Sequence, residues 1–443
     1  MLPQIADFLN KIIPAVHFVW EFFLAWWWVP LPFILWKPFS FLWLWWRTDN
    51  FLKKIKMVLI EVRIPKEVLK PIRAMEVVMD HLWQVLYDGP DWWEKWVDGK
   101  IILGYYFEFA SIGGEPHFFI RIPETVRDSV EAAIYSQYSE AEISIVDDYT
   151  KDVPQNIPNK DWDLWGCDYR LLSPNPYPIK TYVDFETEHE AKEEKRIDPL
   201  AQLLEISAKI NPGEQLWIQI GASPVTNKEY PWVDEGKKIR DEVSRRTKKQ
   251  KPGRAMILDA IDVLATGNVP KEPAEEKELI PPEMKLTPGE RDILTAIEKK
   301  LSKRGYACHI RFIYLGNKNV FYKPKLRLPL GFFSAFSTQN LNNLVPKGQP
   351  FITKIAKTWF LPMNASFIID RRLYLRKRIL LRKYVKRDNP YSPLPVKWPS
   401  CFILNSEELA SIFHFPGKLS APAPFIERIE SKKGEAPSGL PTE

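Results

Sequence analysis

The densest run of chemically useful side chains is Asp370–Asp388, DRRLYLRKRILLRKYVKRD. Arg371, Arg372, Arg376, Lys377, Arg378, Arg382, Lys383, Lys386 and Arg387 supply nine cations with no acid between them. Guanidinium and ammonium groups at this density bind phosphate or carboxylate. Leu373, Leu380 and Tyr384 add apolar positions at helical spacing, so the run predicts a basic amphipathic helix over 371–387. Three readings compete: contact with anionic lipid, contact with nucleic-acid phosphates, or docking of a partner protein. The chain carries a formal net charge of +6, yet outside this helix the remaining 53 basic residues are outnumbered by 56 acidic ones. One segment carries the basic character.

No catalytic set accompanies it. Gly99–Gly104 and Gly434–Gly439 have the glycine spacing of a phosphate loop, but Tyr105 and Leu440 stand where its lysine must be. The six histidines are scattered, and no G-x-S-x-G elbow is present. Cys167, Cys308 and Cys401 lack metal-ligand spacing and suit a reducing compartment. Cys308 and His309, adjacent on a predicted strand, point to opposite faces. The expectation is no enzyme, no cofactor and no metal.

The second notable stretch is Cys401–Pro416, CFILNSEELASIFHFP. Phe402–Leu404 reads as a short strand. Asn405 and Glu408 stand in capping-box positions for a following helix that Pro416 stops. His414, between Phe413 and Phe415, is expected to be a partly buried packing residue.

These segments must be held by something. Ala15–Trp46 carries only Glu21 and Lys37 as charges and eight of the eighteen tryptophans, and it is long enough to cross a bilayer. Trp26, Trp27, Trp28, Trp43, Trp45, Trp46 and Arg47 are its expected interface residues. Arg47, Lys53, Lys54 and Lys56 after the stretch, against Lys11 before it, predict a single pass in the cytoplasmic membrane, N-terminus outside. Two registers remain open: Ala15–Trp36 puts Lys37 at the inner interface, whereas Phe23–Trp46 puts tryptophans at both ends and buries Lys37.

After this anchor (1–56), the fold class expected is α+β, with tandem ferredoxin-like (split βαβ) units, a helical insertion, a basic helix and an extended tail. In 57–150, strand Met57–Ile64 precedes a helix with Ile72, Met75, Val78, Met79, Leu82 and Leu86 on one face. Strands Gly104–Ala110 and His117–Ile122 flank Gly113-Gly114 as a hairpin. Val126, Val130, Ile134 and Tyr138 mark a second helix, and Glu142–Val146 a last strand. That order is β-α-β-β-α-β. A second α+β domain, 164–315, opens with strands Leu164–Leu172 and Lys180–Phe185. It continues with helix Pro199–Ile210 capped by Asp198, strand Gln215–Ala222, a helix with the capping box Thr287–Glu290, and strand Tyr306–Leu315. Residues 151–163, with Asp161 and Asp163, read as a solvated loop. An insertion, 223–286, holds helices Glu235–Lys251 and Arg254–Thr266. Segment 316–416 reads as irregular around the basic helix, and 417–443 as an extended tail.

LNSEELASIFHFP, preceded by the basic helix and followed by PFIERIESKKGEAPSGLP, resembles the segment upstream of the motor domain in conjugative-transfer, type IV secretion-like DNA-pumping ATPases. IPKEVLKPIRAMEVV (Ile64–Val78), FFIRIPETVRDSVEAAIYSQYSEAEISIVDDY (Phe118–Tyr149) and IDPLAQLLEISAKINPGEQLWIQI (Ile197–Ile220) resemble a membrane-anchored bacterial family of unassigned biochemistry. Fused proteins of the first kind continue into a P-loop motor, whereas this sequence stops near Pro441. The resemblance therefore implies a membrane-anchored accessory half that docks a separate ATPase, with Leu404, Asn405, Glu407, Glu408, Leu409, Phe413, His414, Phe415 and Pro416 as the candidate partner-docking motif. The partners implied are membrane lipid, a P-loop DNA-translocating ATPase, DNA and a second copy of the chain.

Overall fold

A computed structural model describes residues 20–21, 25–26, 29, 31–65, 70–185, 198–244, 286–347, 366–387 and 401–416. The chain divides into two compact units: Met1–Lys56 with Asp88–Ile101 and Ser392–Trp398, and the remainder.

The described part of the smaller unit is built on α1, Leu31–Lys54, which runs through Pro38. At 24 residues it is about 36 Å long. Against it packs Asp88–Ile101, which contains a π-helical turn, Glu94–Asp98. The Trp43 indole N–H donates to the Trp96 carbonyl at 2.8 Å. Gly99, at φ +73°, makes the close approach: a Cβ there would lie 2.4 Å from the Arg47 carbonyl. Among the described residues, no helix is long and apolar enough to cross a membrane. The expected anchor falls partly outside them, since Trp27, Trp28 and most of 15–30 are not described.

The larger unit is α+β. Its first half runs β1 (Met57–Arg63), α2 (Arg73–Leu86), β2 (Tyr105–Ile112), β3 (Glu115–Pro123), α3 (Arg127–Gln137) and β4 (Glu142–Val146). All pairings are antiparallel, in the order β4-β1-β3-β2. The apolar face read from the sequence for α2 is buried throughout. It packs on Ile60, Val62, Phe107 and Phe109, which alternate to one side of their strands.

The second half runs β5 (Trp162–Leu171), α4 (Tyr182–Phe185), α5 (Pro199–Ala208), β6 (Glu214–Val225), α6 (Trp232–Val243), α7 (Pro288–Leu301), β7 (Gly305–Asn317), α8 (Arg327–Ser334) and β8 (Leu344–Pro346). Its order, β6-β7-β5-β8, mirrors the first half, because each half places its strands fourth-first-third-second. The two second strands, β2 and β6, pair antiparallel from Tyr105↔Ala222 to Ile112↔Gln215. One nine-stranded sheet results.

Several sequence expectations need correction. Lys180–Phe185 is no strand: the Thr181 backbone N–H donates to Asp184 Oδ2 at 2.9 Å and starts the short helix α4. Asp163 lies on β5 rather than in a solvated loop. Segment 316–416 contains α8 and β8, which complete the second half. Of helix Glu235–Lys251, residues to Val243 are helical, whereas 245–251, Arg254–Thr266 and the 417–443 tail lie outside the described residues.

Beyond β8 come α9 (Ser366–Lys386), β9 (Phe402–Asn405) and α10 (Ser406–Ile412); β9 pairs with Gly305–Cys308 of β7. One sheet face carries the larger core, under α2, α3, α5, α8 and α10. The other carries a smaller core of Trp217, Ile313, Leu315 and Tyr149, which α9 covers with Leu380, Leu381 and Tyr384. Cys308 belongs to the larger core and His309 is buried on the opposite face.

Candidate functional site

The basic helix α9 has two different faces. Leu380, Leu381 and Tyr384 are buried, with the Tyr384 and Trp217 ring centroids 5.3 Å apart. Beside them Lys377 Nζ reaches Asp163 Oδ1 at 2.6 Å, and the Arg311 guanidinium donates to the Lys383 carbonyl at 2.6 Å. Lys383 Nζ sits 3.7 Å from Asp168. On the outer face Arg371, Arg372, Arg382 and Lys386 are exposed, with Arg376 and Arg378 half-buried. Tyr374, Leu375 and Ile379 are exposed among them. Arg371, Leu375, Arg378, Ile379, Arg382 and Lys386 follow helical spacing, so cations and apolar side chains share one stripe. Such a stripe can pair with anions while covering an apolar surface.

Arg387 leaves the expected contact set. Its guanidinium is fully buried, with Nε 2.6 Å and Nη2 2.9 Å from the two oxygens of buried Glu108, and Nη1 2.6 Å from Asp148. Tyr149 and Gln219 donate to the same Glu108 carboxylate, at 2.8 Å each. Burial alone would lower the Arg387 pKa, but Glu108 and Asp148 outweigh it and raise it. The Asp148 carboxyl, which burial would raise, is held low by Arg387. This cluster ends α9 and fixes it to the sheet. Nothing in the alternation of Gly104–Ala110 singled out Glu108, which reads as a solvent-facing strand position until α9 covers it.

The motif at 404–416 is also corrected. Leu404, Asn405, Glu407, Glu408, Leu409, Phe413, His414, Phe415 and Pro416 are all buried. The expected capping box is present, with Asn405 accepting from the Glu408 N–H. The surface on which this motif docks is the chain's own helical layer. Glu408 pairs with Lys300 at 3.0 Å, both side chains fully buried, and accepts from the Ile179 N–H at 2.8 Å. Burial lowers the Lys300 pKa and raises that of Glu408, each offset in part by the other. Phe413 reaches Phe107 (centroids 5.2 Å) and Phe415 reaches Tyr138 (5.3 Å). His414, expected to be partly buried, lies fully inside, with Nε2 2.9 Å from Asp198 Oδ1.

Beside this motif opens a cleft of about 580 Å³, lined by Arg73, Glu76, Asp80, Tyr182, Lys299, Lys303 and Glu407 among others. Lys303 bridges Glu76 and Glu407, and Lys299 reaches Glu407 at 3.0 Å. Burial, and then Glu76, raise the Asp80 pKa. The described lining brings carboxylates, ammonium and guanidinium groups and one phenol together, an arrangement suited to ion pairing. Among the described residues no group of three or more His, Cys, Asp or Glu side chains is placed to hold a metal.

Of the expected interface residues, Trp26, Trp43, Trp45 and Trp46 are exposed, and Arg47 lies over the Trp43 and Trp46 rings at 5.9 and 5.5 Å. Trp92 and Trp93, which no sequence pattern had singled out, are exposed as well. A comparison of the chain with protein-family models and with curated proteins returns no match to either.

Proposed function

We propose that this chain is a non-catalytic, membrane-anchored accessory protein of two ferredoxin-like units that docks a separately encoded DNA-translocating ATPase at the cytoplasmic membrane face. The observation that carries the docking reading is the outer stripe of α9. Its inner face is fastened by Tyr384, Lys377 and the residue that follows, Arg387, while Arg371, Leu375, Ile379 and Arg382 remain open to solvent. A rigidly seated helix with a solvent-exposed cationic and apolar stripe suits a partner surface of acidic and apolar residues. The tandem ferredoxin-like description draws on the repeated strand order, and the membrane anchor on the Trp-rich stretch with its basic flank.

Co-purification of the full chain in detergent tests this. A P-loop ATPase should accompany the wild type and be lost with Arg371→Glu/Leu375→Glu/Arg382→Glu. Repeated preparations without any ATPase would sink the proposal.

A second reading, direct DNA contact, draws on the same exposed arginines, because guanidinium groups attract phosphate irrespective of sequence. Filter binding at rising salt separates the two. Steeply salt-dependent retention of DNA supports phosphate contact, and a flat response removes it.

A further inference from the structure

The smaller unit presents two aromatic groups that the sequence keeps far apart. On α1, rings follow one another at contact distance: Trp36–Phe39 at 6.2 Å, Phe39–Trp43 at 6.1 Å and Trp43–Trp46 at 5.5 Å. On Asp88–Ile101, Trp92 lies 6.3 Å from Trp93 and 6.4 Å from Trp96. The Trp43–Trp96 hydrogen bond joins the two groups, and Gly99 lets the backbones meet. Trp92 and Trp93 are 69% and 63% exposed. Tryptophan at that exposure, in a cluster, marks a surface that something covers.

Side-chain chemistry argues for the headgroup layer of a bilayer as that cover. Lys100 holds Asp88 at 2.8 Å and Glu94 at 2.9 Å, Lys95 is half-buried, and Asp91 and Asp98 are exposed, so the segment is no cationic surface. The large apolar side chains that Asp88–Ile101 exposes are two indoles, each an apolar ring with one N–H, a group that concentrates at the boundary between hydrocarbon and headgroups. They also continue from the tryptophans of α1, where Arg47 follows as an interface cation.

Resting on the membrane reading above, we infer that Trp92 and Trp93 form a second membrane contact, seated in the inner headgroup layer at the level of Trp43–Arg47. This selects the register Phe23–Trp46 over Ala15–Trp36. In the latter, Lys37 would mark the interface, and both the α1 tryptophans from Trp43 on and the docked Trp92–Trp93 pair would stand in water.

The experiment uses the full chain with Cys401→Ser, since Cys167 and Cys308 are buried. A fluorophore is placed at Trp93→Cys or at Lys37→Cys, and the protein is reconstituted into phosphatidylcholine vesicles carrying a spin-label quencher at the headgroup or at mid-chain. Trp93 is exposed, so its replacement should leave the fold intact. The expected result is loss of emission at position 93 with the headgroup quencher, and at position 37 with the mid-chain quencher. Protein that floats with vesicles but keeps full emission at position 93 overturns this inference and leaves the anchor standing. Protein that does not float overturns both.

Discussion

Arg387 and Glu108 are 279 residues apart in sequence, yet they meet as a two-pronged ion pair with no solvent exposure on either side chain. A buried carboxylate without its cation must either stay charged in a poor solvent or take up a proton. Arg387→Ala should therefore destabilise by about 3–5 kcal/mol, read as a lower urea midpoint. Arg387→Met with Glu108→Leu should recover much of that loss, because it removes both charges together. Arg387→Lys should recover little, since one ammonium cannot reproduce the fork.

Acid should weaken the larger unit through Glu407 and Asp148. Burial alone would raise the Glu407 pKa, but Lys303, Thr181 and Lys299 hold it below the ordinary 4.5; Arg387 likewise holds Asp148 below 3.8. A depressed carboxyl pKa contributes stability that is complete above the ordinary value and lost as pH falls through the folded one. Urea midpoints should thus decline below about pH 4.5, and Glu407→Gln should flatten that decline. Lys303, raised by Glu407 and Glu76 despite burial, has the opposite sign, so its contribution fades only as pH rises past the ordinary 10.5.

Phe413→Ala should cost about 3–5 kcal/mol, as expected for a large aromatic truncated in a packed core. Leu375→Glu on the outer stripe of α9 should change stability by no more than about 0.5 kcal/mol. Thermal unfolding of the two variants separates a motif that builds the fold from a stripe that the fold does not need.

Gly99→Ala should release Asp88–Ile101 from α1. The new methyl would meet the Arg47 backbone at 2.4 Å, and the φ of +73° disfavours any Cβ. Hydrogen exchange should rise across 88–101 and stay unchanged in the strands of the sheet.

Where periodicity and capping are local, the sequence was legible. The alternation of Met57–Ile64, the one-sided face of α2 and the two capping boxes at Thr287 and Asn405 each appear where their residues predict. What failed depended on distant cover. Glu108 looks solvent-facing until α9 lies over it, and β8 has only three residues, too few for any alternation to register. The 404–416 motif reads as a docking surface only through its resemblance to the segment upstream of a motor domain. The residues that bury it, such as Phe107, Tyr138 and Lys300, come from three separate parts of the chain. The exposed half of α9 was legible as chemistry, and its buried half was not, because cation density says nothing of which side meets the sheet.

Phe413 and Phe415 close a core whose walls, Phe107, Phe118 and Tyr138, are translated roughly 300 residues earlier. During synthesis the first half can pair its strands, but those aromatic rings stay uncovered until the last turns of α10 and residues to Pro416 have emerged. The nascent chain thus carries an open apolar seam for most of its elongation, a state prone to aggregation or chaperone capture. Chains interrupted before residue 401 should leave that seam open and be cleared as misfolded.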